Sequence, residues 1–171
     1  MVRKYVRLVI AIVLFCGSVV LFATGSIYYG LLVFLFSGLF VLTHFKNEKN
    51  LLAFYFLRKN KIQAAGKVLA TVKHPESMIK SQEAYLYYLT GSVELQNHLT
   101  SKAEKNFKKA LSTGLRMDSD KAVAKLQLAG ISLSRRNKKM ATHYLQEAKK
   151  LDRNKLLTPQ VRELEGMMKR M

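Results

Sequence analysis

The sequence predicts an all-α protein in two parts, an N-terminal pair of apolar helices and a short stack of helical hairpins behind it. Three observations carry that expectation. Two long uncharged runs lie within the first 45 residues. The apolar residues after them recur with helical period. Pro75, Gly114 and Pro159 fall in that later part at breaks between periodic segments. Nothing in the chain reads as a strand.

The first run is Leu8 to Ala23 (LVIAIVLFCGSVVLFA) and the second Ile27 to Phe45 (IYYGLLVFLFSGLFVLTHF). The second has 19 residues, close to the roughly 20 that a helix needs to cross a bilayer core. The first has 16, and Tyr5 with a snorkelling Arg7 extends it towards the headgroups. Only Thr24-Gly25-Ser26 separates the two, which forces them antiparallel. Residues 1–45 therefore read as a two-span transmembrane hairpin. A cleavable signal would find a passable site at Ala23-Thr24-Gly25, but its apolar stretch is long and a second run follows at once. A lipoprotein signal at Cys16 is weaker still, because bulky Phe15 precedes it. Two buried helices of a soluble protein would need more apolar partner surface than the rest of the chain offers.

Flanking charge sets the expected orientation. Arg3, Lys4 and Arg7 precede the first run, Lys46, Lys49, Arg58, Lys59 and Lys61 follow the second, and the turn between carries no charge. The excess of Lys and Arg on one side places both termini, and the domain 46–171, in the cytoplasm, on the inner face of a membrane of the bacterial cytoplasmic type. Tyr28 and Tyr29 would mark the outer interface and Tyr5 the inner one.

The 171 residues include 29 Lys and Arg against 11 Asp and Glu, a net charge of +18 and a pI near 10.1. Beyond Phe45 the balance is 26 basic to 11 acidic. Such a surface suits anionic partners, whether lipid, nucleic acid or acidic protein. The single Cys16 sits inside an apolar run. It cannot form an internal disulfide and reads as a packing residue.

In the second part Pro75 follows one helix, Gly114 closes another, and Pro159 opens the last behind Thr158 as its N-cap. Ser101 and Glu104 have the spacing of a capping box. A repeat then emerges. Gly91 is followed by Ala103, Phe107 and Ala110, and 38 residues on Ala129 is followed by Ala141, Leu145 and Ala148. Small residues let two backbones approach, and a large one fills the space above them. This pattern resembles the tetratricopeptide repeat family. The resemblance implies repeats over about 45–78, 84–117 and 122–155, with a capping helix at 158–170. In the first, weaker copy, Asn50 to Leu57 and Lys61 to Val72 form the two helices. Ala64 and Val68 there make the small-large step, Thr71 replaces Ala, and the first helix runs on from the second apolar one. Tyr87 stands where the family usually has Trp, Thr90 replaces Leu, Glu94 replaces an aromatic, and the terminal Pro is missing from both clear copies.

No constellation for chemistry emerges. His44, His74, His98 and His143 share no metal-like spacing, no Gly-rich loop follows a strand, and the sparse carboxylates offer no acid–base pair. Neither enzyme activity, a metal nor a cofactor is expected. The expected function is a membrane-tethered interaction scaffold or assembly factor for protein partners, including a membrane complex. Tyr85, Tyr88, Leu126 and Leu133 are candidates for a groove lined by the first helices. Lys102, Lys105, Lys109, Lys138, Lys139, Lys149, Lys150 and Arg153 form a basic outer surface. The alternative is a basic tether for ribosome, RNA or anionic lipid.

Overall fold

A computed structural model describes residues 2–45 and 48–170, and side chains for 9–38 and 49–170. It divides into two units, Met1–Glu48 and Lys49–Met171. Every regular element among the described residues is helical.

In the first unit α1 (Val2–Ala23) and α2 (Ile27–Phe45) form the expected hairpin. Gly25 turns between them at φ 79°, and the Ser26 amide donates to the Leu21 carbonyl at 3.0 Å. That is the left-handed closure a glycine makes without strain. The seam is built from small residues: Ala11 and Ser37 are nearly buried and Ser18 fully so. At Gly30 an added Cβ would lie 3.1 Å from the Phe22 ring. The Ser37 hydroxyl donates across the seam to the Ala11 carbonyl at 2.9 Å. Large apolar residues point the other way, and Val13, Val20 and Leu35 are exposed. Among the described residues no helix is long and apolar enough to cross a membrane. The two-span reading is thus not established by them, and the side chains of residues 39–45 lie outside the description. The flanks Arg3, Lys4, Arg7 and Lys46, and the continuity expected at residues 46–47, lie outside it too.

The second unit runs α3 (Glu48–Arg58), α4 (Ile62–Ala70), a 3-10 turn (Pro75–Ser77), α5 (Lys80–Gln96), α6 (Thr100–Thr113), α7 (Asp118–Ser134), α8 (Lys138–Leu151) and α9 (Thr158–Lys169). Three hairpins repeat with one period. Asn60, His98 and Arg136 are all left-handed, at φ 55°, 60° and 58°, each 38 residues from the next. The amide after each donates five residues back: Lys61 to Phe56, Leu99 to Glu94, Asn137 to Ser132, at 2.8, 2.8 and 2.9 Å. The same backbone device thus ends each first helix and aims each second one.

The period also fixes the packing. Ala103, Phe107 and Ala110 are fully buried in α6, as Ala141, Leu145 and Ala148 are almost completely in α8. In the first hairpin the equivalent residues are Ala65 and Leu69, both buried, and half-buried Val72. The expected register through Ala64, Val68 and Thr71 is therefore off by one. Ala64 and Val68 are half-buried and Thr71 is exposed. Helix α9 lays Val161, Leu164 and Met168 against Leu126, Ala129 and Leu145.

Two expected caps differ. Helix α6 starts at Thr100, so Ser101 lies inside its first turn and makes no cap hydrogen bond. Instead the Ser101 hydroxyl accepts from Arg135 at 3.1 Å, and Glu104 pairs with Lys108 at 2.6 Å. Thr158 likewise sits one position inside α9, its hydroxyl donating to the Lys155 carbonyl at 2.8 Å. The carboxylate of Asp152 accepts from the Leu156 and Leu157 amides just ahead of that helix, at 3.0 and 2.8 Å. By contrast Gly114 closes α6 at φ 106°, as its sequence position implies.

Candidate functional site

A groove of 670 Å³ opens in the second unit, walled by the first helices of all three hairpins. Helix α3 contributes Phe54, Leu57 and Arg58, α5 contributes Tyr88, Ser92, Leu95 and Gln96, and α7 contributes Val123 and Gln127. His98 lies at one edge and Phe107 reaches it from α6. The 38-residue period explains why these meet: Phe54 and Ser92 occupy the same position in successive hairpins, as do Leu57 and Leu95, and Arg58 and Gln96.

The floor is aromatic. Tyr88 packs edge-on to Phe107 with centroids 6.1 Å apart and edge-on to Tyr85 at 6.2 Å. Burial raises the Tyr88 phenol above its ordinary pKa, so it is a neutral donor. Arg58, His98 and the amides of Gln96 and Gln127 add polar handles, and no carboxylate is among the lining residues. Ser92, the other lining hydroxyl, donates to the Tyr88 carbonyl at 3.0 Å. The wall thus offers an apolar slot with cationic and amide groups beside it.

Of the four groove candidates, Tyr88 lines this slot. Tyr85 does not; its hydroxyl donates to the Asp120 carboxylate on α7, whose pKa burial raises. Leu126 is buried in the cluster covered by α9, and Leu133 is buried too. Leu126 stands 38 residues after Tyr88, but α9 packs over it there, and α7 meets the slot through Val123 and Gln127 instead. Arg58, Gln96, His98 and Gln127 carried no signal in the sequence, since polar residues on a helix read as a solvated face. Only the 38-residue spacing from Leu57 to Leu95 could have pointed there.

The basic surface proves mixed. Lys109 sits 4.1 Å over the Tyr87 ring, and its pKa is raised first by the Tyr87 hydroxyl. Lys149 pairs with Glu165, and Arg153 lies 4.0 Å from Asp118. Lys102, Lys105, Lys138, Lys139 and Lys150 are exposed, and among the described residues no ion pair engages them. Among the same residues no three of His, Cys, Asp and Glu converge closely enough to hold a metal ion. His98 is exposed at the groove edge, and His74 and His143 approach Glu76 and Glu147 at 3.5 Å on the surface.

No protein-family model, no curated protein and no solved structure matches this chain.

Proposed function

We propose that the chain is a membrane-tethered scaffold whose three-hairpin array, similar to tetratricopeptide repeats, binds a segment of a partner protein. The observation that carries this reading is the groove to which three successive first helices contribute. Its apolar floor with Arg58 and His98 beside it suits a segment with aliphatic or aromatic anchors and a carboxylate, an amphipathic helix or extended peptide. In this reading the groove holds its partner through the apolar floor and through the polar groups of Arg58, Gln96, His98 and Gln127.

The tether is the apolar hairpin. Its small-residue seam with one hydroxyl bridging the helices, and its large residues turned outward, follow the packing logic of helices in lipid. The charge asymmetry of the sequence then puts the array on the cytoplasmic side.

A photoreactive amino acid at Ser92 tests the groove in full-length protein in its native membrane. The expected outcome is one discrete adduct, lost on Tyr88→Ala, with none from the same group at Lys105. Equal labelling from both positions would refute a groove-specific partner.

The five lysines on α6 and α8 that no ion pair engages among the described residues favour a second reading, attraction to an anionic surface such as lipid or RNA. Changing Lys102, Lys105, Lys138 and Lys139 to Glu would then remove the salt-sensitive part of binding. Binding that survives unchanged would leave those lysines a solubilising face.

A further inference from the structure

The 38-residue period exposes an incomplete end to the array. On α5, Leu89 and Val93 are 2% and 6% exposed, packed with Ala65 and Leu69 of α4. The approach is close, since a Cβ at Gly66 would lie 3.3 Å from Val93. On α7 the residue equivalent to Val93, Ile131, is buried likewise, packed with Ala110 and Phe107 of α6. In each case the second helix of the preceding hairpin covers the Val93 position, while the Leu89 position is taken on α7 by Gln127, at the groove. Helix α3 has no preceding hairpin in its unit. The residues equivalent to Leu89 and Val93 are Leu51 and Tyr55, and they are 66% and 53% exposed.

Terminal repeats of such stacks ordinarily carry a polar outer face. This one carries exposed Leu51, Leu52 and Tyr55, and the turn after α3 adds Lys59 and Lys61. An exposed apolar stripe with a tyrosine, and a basic turn at its end, match the chemistry of a segment at a membrane interface, with the apolar side at the acyl boundary and the cations among headgroups. The chain order agrees, because α3 begins three residues after the apolar helix α2 ends.

We propose that the open face of α3 docks into the headgroup–acyl boundary of a bilayer bearing anionic lipid. The bilayer takes the place of the missing hairpin, and the array is held at the surface by its first helix. The proposal rests on the membrane-tether reading above.

The chain contains no Trp, so single Trp variants report position directly. Full-length Tyr55→Trp and Leu156→Trp, the latter in the loop before α9, are reconstituted in vesicles of phosphatidylcholine and phosphatidylglycerol, with and without bromine on the acyl chains near the headgroup. Flotation shows whether the protein enters the vesicles. The expected result is flotation of both, with Tyr55→Trp emission blue-shifted and quenched at least twofold by the brominated lipid and Leu156→Trp unaffected. Flotation with equal quenching at both positions would overturn the docking while the tether stands. Blue-shifted emission without quenching would overturn it too, and show that protein covers the face. A chain that does not float would defeat both readings.

Discussion

The hairpins α5–α6 and α7–α8 share one backbone plan and fill their seams with different pairs. In the first, Gly91 faces Phe107; at the equivalent places in the second stand Ala129 and Leu145, both buried. A Cβ at Gly91 would lie 3.2 Å from the Phe107 ring and 3.3 Å from the Ala103 carbonyl. One helix therefore gives up a methyl where the other adds a phenyl. The α3–α4 hairpin agrees with the second solution, using Ala53 and Leu69. Seam volume, rather than residue identity, is what the period preserves, as close packing requires. Glycine within a helix costs roughly 0.5–1 kcal/mol relative to Ala, and the buried ring offsets that.

The largest effect expected is at the ring itself. Phe107 is fully buried, touches Tyr88 and reaches the groove, so Phe107→Ala is expected to cost about 3–5 kcal/mol, at or above Leu145→Ala at about 2–5. Denaturant unfolding of the full chain in detergent reads both. Phe107→Ala is also expected to weaken capture at Ser92, whereas Leu145→Ala is not, since Leu145 packs under α9.

Overpacking comes next. Ala103→Leu or Ala110→Leu would push a side chain into a fully buried position and is expected to cost about 1–3 kcal/mol. Lys105→Leu, on the exposed side of the same helix, is expected to change little. Equal tolerance at all three would mean that the stripe is not a seam.

The smallest effect separates the hairpins by charge. Glu104 pairs with Lys108 at 2.6 Å and with Arg135 across to the α7–α8 turn, and it has Thr142 as its equivalent in the next hairpin. The Lys108 hydrogen bond is the largest influence lowering its pKa from the ordinary carboxylate range, with Arg135 contributing. A lowered carboxylate pKa means stability that is present above the ordinary value and lost as pH falls through the folded one. Glu104→Gln is therefore expected to cost about 0.5 kcal/mol at neutral pH. The difference from the parent chain should vanish in acid, where both side chains are uncharged. A difference that persists there would make the loss steric.

The stripes of α6 and α8 were legible because small residues recurring at a 38-residue spacing mark places where two backbones must approach. The hairpin turn at Gly25 was legible because three small residues between two uncharged runs leave room only for a reversal. The register of α4 was not. In QAAGKVLA both Ala64/Val68 and Ala65/Leu69 satisfy a small-large step, and only the left-handed residue at 60 chooses between them. That position was itself hidden: Asn commonly adopts φ above zero, but His98 and Arg136 carry no such signal. The groove was half legible. Tyr88 was found from its helix face, while Leu126 looked equivalent until α9 covered it. The expected caps misled because the hairpin turn sets where α6 begins, rather than Ser101, and because the Asp152 carboxylate holds the amides just ahead of α9, rather than Thr158.

One seam, filled by complementary pairs, builds each hairpin of the array. Hydrogen exchange on the full chain in detergent, read for α5–α6 and α7–α8 in Gly91→Ala, Phe107→Leu and the double variant, tests this most directly. Gly91→Ala is expected to lower protection in α5 and α6 by about 1–3 kcal/mol and to leave α8 as it was. Adding Phe107→Leu is expected to recreate the Ala–Leu seam and recover protection, with a coupling of about 0.5–3 kcal/mol. Additive losses in the double variant, or losses spread equally over both hairpins, would contradict it.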